Sequence, residues 1–177
     1  MYRLRIEILD SDPAIWRSFW VRPGLTLEEA HGVLMQVMGW SGQANCRFKG
    51  HMRPGGDPVD CTSHLERLPA LRLDHLLVEP GDSFLYTYDI AQGWIHRVSL
   101  EECREDGGTP AIPWCVAGEQ ACPPELCVGI WGYEDLLDRL GDPDDPDYDQ
   151  LWQQAGYDFN PDRFDLAEVN QRLQGQS

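Results

Sequence analysis

The stretch SFLYTYDIAQGWIHRVSL, Ser83 to Leu100, decides the fold. Phe84, Tyr86, Tyr88 and Ile90 alternate with other residues on one side of Ala91-Gln92-Gly93, and Trp94, His96, Val98 and Leu100 do the same on the other. Period two over runs of this length means two strands, each with one buried face. A three-residue connection sets Ile90 against Trp94; counting outward, it pairs Tyr88 with His96, Tyr86 with Val98 and Phe84 with Leu100. The hairpin therefore points a histidine at the apolar side of a sheet, and the functional reading turns on why.

Toward the N-terminus, YRLRIEIL (2–9) alternates Tyr2, Leu4, Ile6 and Ile8 with Arg3, Arg5 and Glu7, a strand with one buried face. After the turn DSDP comes AIWRSFWV (14–21), rich in aromatic and β-branched residues, with Trp16 and Trp20 on one face. In TLEEAHGVLMQVMGW (26–40), Thr26 and Glu29 make a capping box, and Leu27, Ala30, Val33, Leu34, Val37 and Met38 repeat at helical spacing until Gly39. A strand through ANCRFKG follows, then a Pro-, Gly- and Asp-rich loop over HMRPGGDPVDCTSH (51–64), then a turn or two of helix in LRLDHLL.

Beyond Cys103 the texture changes. REDGGTPAIPWCVAGEQACPPELCVGIWG (104–132) reads as an ordered irregular loop, because its tryptophans and cysteines are out of place in disorder. YEDLLDRL predicts a short helix, DPDDPDYDQLWQQAG an acidic turn entering another, and DLAEVNQRL a last one with Asp165 as its N-cap. The expected architecture is a single α+β domain over 1–177. It opens with a strand-strand-helix unit similar to a β-grasp, and its mainly antiparallel sheet is packed with helices. No internal repeat or linker divides it.

At 177 residues the chain can bury roughly two thirds of its unfolded surface, so a true core needs no disulfide staples. The six cysteines (46, 61, 103, 115, 122, 127) then read as reduced thiols. A charged, alternating start and the lack of a long apolar run predict a cytoplasmic protein with no membrane partner. Fourteen Lys and Arg against thirty Asp and Glu give a net charge of −16, which disfavours direct nucleic-acid binding.

Signatures for common chemistry are missing: there is no Gly-rich phosphate loop, no Gly-x-Ser-x-Gly elbow and no His-Glu-x-x-His. DPDDPDYD has prolines at 143 and 146 and lacks the central glycine and final glutamate of a calcium loop. His96 with Cys115, Cys122 and Cys127 offers zinc-type ligands, although the cysteines are separated by six and four residues rather than a short knuckle. Buried apolar thiols and a core histidine bonded to Tyr88 or to a carbonyl are the competing reading. Arg17, between Trp16 and the Phe19 ring, is suited to stacking or to pairing with a buried acid.

The segments AIWRSFWV, TLEEAHGVLMQVMGW, FLYTYDIAQGWIHRVSLE, WCVAGEQACPPELCVGIWGY and DFNPDRFDLAEVNQRL, in that order, resemble the plasmid pRiA4b ORF-3-like family over nearly the whole chain. The resemblance implies a compact α+β domain spread among plasmids, transposable elements and bacterial chromosomes, and brings no established activity with it. The family's hairpin reads Tyr-Asp-Phe-Gly-Asp-x-Trp-x-His; this chain has Tyr88, Asp89, Trp94 and His96 but Ile90, Ala91 and Gln92 between. The family's loop reads Pro-Pro-Glu-Asp-x-Gly-Gly; here Pro123, Pro124, Glu125 and Gly129 stand with Leu126 and Val128. Before Phe48, where the family often has a histidine pair, the chain has ANCR.

Two of the family's acids are thus absent, which favours a polar cluster over a competent metal or catalytic centre. The expected function is a non-catalytic binding or adaptor module with an aromatic cleft between the 83–101 hairpin and the 103–131 loop. Its candidate residues are Arg17, Tyr88, Asp89, Trp94, His96, Cys115, Cys122, Glu125 and Tyr133. Its partner is a protein or a small molecule, and no cofactor is assigned. The alternatives are a metal-dependent (zinc) or thiol enzyme around His96, and an accessory factor in mobile-element DNA transactions.

Overall fold

Seven strands form one antiparallel sheet in a computed structural model, which describes residues 1–52, 56–62, 70–105 and 112–175. β1 (Tyr2–Ile8) lies between β2 (Trp16–Val21) and β6 (Trp94–Cys103). β5 (Ser83–Tyr88), β3 (Cys46–His51) and β4 (Pro58–Thr62) continue outward from β6, and β7 (Trp114–Glu119) closes the other edge against β2. The helices are α1 (Leu27–Met38), α2 (Leu73–Leu76), α3 (Gly129–Leu140), α4 (Tyr148–Ala155) and α5 (Leu166–Leu173). Among the described residues no helix is long and apolar enough to cross a membrane.

The alternation in the sequence decides which face is buried. Leu4, Ile6, Ile8, Phe19, Val21, Phe84, Val98 and Leu100 form the core with Leu27, Ala30, Leu34 and Met38 of α1. Arg3 and Arg5 occupy the opposite face, where their guanidinium groups lie over the Trp20 and Trp16 rings, and Arg3 pairs with Glu101 and Glu102. Thr26 and Glu29 form the expected capping box, and Gly39 ends α1 with a left-handed φ of 89° that a side chain would resist. Asp165 accepts from the Ala167 and Glu168 amides, so the last helix also begins where its cap predicts.

Four expectations are corrected. Tyr88 pairs with Trp94 and Tyr86 with His96, because the connection is five residues long rather than three. Asp89 takes a positive φ and its carbonyl accepts from the Gln92 and Gly93 amides, which closes the turn and leaves Ile90 exposed. The slip of two residues preserves parity, so every other side chain of the hairpin stays on its expected face. Second, Pro58–Thr62 is a strand within a stretch expected to be loop, and third, Trp114–Glu119 is a strand within the irregular 104–132 segment. α3 also starts at Gly129, four residues before the helix that the sequence predicts.

Candidate functional site

The β5–β6 hairpin carries His96 into the core, where the residue has 0% exposure. Its Nδ1 lies 3.2 Å from the Tyr86 carbonyl oxygen, which can only accept, so Nδ1 bears the proton and donates. Burial lowers the imidazole pKa from 6.5 to about 4, and the ring is neutral at pH 7. His96 Nε2 and Trp94 Nε1 have no hydrogen-bond partner among the described residues.

The residue that organises this region is one the sequence reading passed over, Trp40. The reversal at Gly39 folds Trp40 back, with its amide donating to the Met35 carbonyl, and lays the indole on the hairpin. The ring stacks on Tyr88 at 5.2 Å and 18°, contacts Trp94 at 5.2 Å, and meets His96 edge-on at 5.3 Å. On the opposite side Trp40 Nε1 donates to the Pro123 carbonyl at 2.9 Å. Trp40 therefore fills the gap between the hairpin and the proline-rich loop. An apolar residue directly after a helix-ending glycine was the available signal, since such a residue commonly packs back on its own helix end.

Glu125 fastens the loop to the same place. Its carboxylate accepts from the Ser41 amide at 3.1 Å, from Ser41 Oγ at 2.8 Å and from the Tyr88 hydroxyl. Burial pushes this carboxyl up, but the bonds from Tyr88 and Ser41 outweigh it and hold the group below its ordinary range. His31, also missed, joins from α1: its Nδ1 is 2.6 Å from the Tyr86 hydroxyl and its Nε2 is 3.2 Å from the Gly42 carbonyl. That carbonyl fixes the proton on Nε2, so Nδ1 accepts from Tyr86.

Behind Trp40, away from the hairpin, opens a cavity of about 430 Å³ between the end of α1, the 121–125 loop, the 158–165 segment and α5. Of the residues nominated from sequence, Arg17, Cys122 and Glu125 line it. Tyr88, Trp94 and His96 lie in the aromatic layer beneath Trp40, and Asp89 belongs to the hairpin turn, where its side chain accepts from the Gln92 amide. Tyr133 on α3 meets Phe159 edge-on, and burial raises its hydroxyl pKa. Cys115 is structural in its bonding: its amide donates to Asn170, Asn170 donates back to its carbonyl, and its thiol donates to the Ser18 carbonyl.

Arg17 is 3% exposed, yet its partners are carbonyls rather than an acid. Nη1 donates to Trp16 at 2.7 Å and to Glu119 at 2.6 Å, and Nη2 donates to Gln120 at 2.7 Å. The Phe164 ring covers the guanidinium at 4.6 Å. Gly118, opposite Arg17 on β7, is what lets these groups pass: a Cβ there would lie 2.7 Å from both Arg17 Cδ and Phe164 Cε2. Gly118→Ala is expected to cost about 1–3 kcal/mol by overpacking, read as a lower urea midpoint at unchanged slope. Wild-type stability in that variant would show that the two side chains simply move aside.

Burial pushes the Cys122 thiol up to about 12 and the Cys127 thiol to about 11, opposite to what an activated nucleophile needs. Among the described residues no three His, Cys, Asp or Glu side chains gather as a set that could hold a metal ion, and His96, Cys115, Cys122 and Cys127 are no exception.

The chain is 28% identical to a protein of unknown function, MM3350, from Methanosarcina mazei Go1, whose crystal structure superimposes with a TM-score of 0.86 over 95% of this chain and 96% of that one. It is 29% identical over 150 residues to the uncharacterized protein y4hQ of Sinorhizobium fredii, covering 80% of this chain and 73% of the relative. The family model for plasmid pRiA4b ORF-3-like proteins matches residues 1–168, and the chain belongs to that family.

Proposed function

We propose that the protein is a non-catalytic binding module that takes a small molecule in the cavity behind Trp40. The observation that carries this reading is a cavity of about 430 Å³ whose wall combines Trp40, Phe159 and Phe164 with the buried cation Arg17. Concavities of this size are a usual form of ligand site, and this one sets seven charged side chains, Arg17 among them, beside its aromatic rings.

The side chains that could do chemistry support binding over turnover. His96 is neutral and sealed in the layer beneath Trp40, Glu125 accepts three hydrogen bonds, and the Cys122 thiol is held protonated. A thiol nucleophile needs a lowered pKa, and burial holds that of Cys122 up. Six free cysteines support a reducing compartment, the cytoplasm, as the place of action.

An NMR fragment screen on isotope-labelled protein tests this. Bound fragments are expected to shift the amides of Gly39, Cys122, Phe164 and Val169 and to be recovered chemically unchanged. Conversion of a bound fragment would overturn the non-catalytic reading, and a full library that leaves those amides unmoved would overturn the site.

A further inference from the structure

The donors of Arg17 say more about the ligand. A guanidinium has five N–H groups in a planar fork, and Arg17 commits three of them to the Trp16, Glu119 and Gln120 carbonyls. Both protons of Nη1 are used, one of Nη2 remains, and Nε has no partner among the described residues. Nε and Nη2 form the side-on edge of the fork, the edge that grips carboxylates two bonds at a time. This chain uses it that way elsewhere. Arg47 holds Asp60 through Nε and Nη2, Arg72 holds Asp74, and Arg139 holds Asp145. In Arg17, Nε and one of the two Nη2 protons are uncommitted.

Among the described residues the charge of Arg17 has no acidic partner within ion-pair reach either. Carbonyl dipoles satisfy three of its donors but carry no net charge, and burying a cation without an anion is costly. The other two cations of the cavity wall are paired: Arg172 with Glu168 at 2.8 Å, and Arg163 with Asp165 at 3.4 Å.

We propose, building on the binding reading above, that the cavity selects a small monoanionic carboxylate with an aromatic or branched apolar body, its acid group seated on the Nε/Nη2 edge of Arg17. Trp40, Phe159 and Phe164 receive the body. A doubly charged phosphate is disfavoured, because Glu125, Asp158, Asp165 and Glu168 line the same cavity in a chain of net charge −16. Nε has no exposed surface and the Phe164 ring lies over the guanidinium, so seating the acid there requires side chains around Arg17 to shift.

Titration of wild-type protein with phenylacetate, indole-3-acetate and 4-methylpentanoate, followed by the Arg17 Nε–H resonance, tests this directly. At least one acid is expected to bind saturably and shift that resonance, while its primary amide binds roughly tenfold or more weakly for want of the charge-assisted pair. Inorganic phosphate is expected not to displace it. Arg17→Met should lose the same preference; since it can also unfold the chain, the acid-against-amide comparison on wild type is decisive. Equal binding of acid and amide would overturn the carboxylate and leave the binding module standing. Displacement by phosphate, or no saturable binding by any of the three acids, would overturn the inference.

Discussion

Trp40→Ala is expected to cost about 3–5 kcal/mol, the range for deleting a buried tryptophan. Trp40 is 7% exposed and is packed by Tyr88, Trp94 and His96 on one side and tied to the Pro123 carbonyl on the other. Truncation removes the packing of three rings, leaves the Pro123 carbonyl without its donor, and joins the cavity to the hollow left above the hairpin. The 121–125 loop then hangs on Glu125 alone at this point. Trp131, at 76% exposure on α3, is the control: its replacement by alanine should change stability by no more than about 0.5 kcal/mol. Urea unfolding of the two variants checks both numbers. A Trp40→Ala protein as stable as the Trp131→Ala protein would mean that the loop packs on the hairpin without the indole between them.

Most of the frame was legible because its signals are local. Period two in 2–9 and 83–100, and the Thr26/Glu29 and Asp165 caps, depend on residues a few positions apart. β4 and β7 were not legible, for reasons particular to edge strands. β4 begins at Pro58 amid Pro and Gly, and proline is tolerated at the first residue of an edge strand while it reads as loop in sequence. In β7 a register shift opposite Ser18 and Phe19 breaks the alternation, and Gly118 removes one side chain from the pattern. The hairpin register was lost to a five-residue turn in which Asp89 holds a conformation more typical of glycine.

The site was legible only in pieces, because its wall is drawn from β2, the end of α1, the 121–125 loop and α5, which are joined by no period or motif. His96 and Arg17 nevertheless gave the same signal, a polar side chain at an inward position of an alternating strand. Arg17 shares its face with Ile15, Phe19 and Val21 and pairs across the sheet with Ile6. The histidine proved to be sealed under Trp40, and the arginine to line the cavity.

Between pH 6.5 and about 4 the protein is expected to lose about 3 kcal/mol of stability through His96 alone. The unfolded chain takes up the imidazole proton near 6.5, whereas the folded protein, which would have to bury the charge, takes it up near 4. Within that window the unfolded state binds more protons, so stability falls as pH falls. The penalty is absent above 6.5 and complete below 4. His31, whose pKa burial also lowers, acts with the same sign, and carboxylates held low, Glu125 among them, add their own loss on acidification. Subtraction isolates His96. In His96→Asn the amide nitrogen can still donate to the Tyr86 carbonyl, but nothing titrates. The variant should be less stable at pH 7, by about 1–3 kcal/mol for the lost ring packing, and the gap should close as the pH is lowered toward 4. Urea melts of both proteins at half-unit intervals measure this. Parallel curves from pH 7 to pH 4 would show that His96 keeps an ordinary pKa, and with it an access to water that the layer beneath Trp40 does not provide.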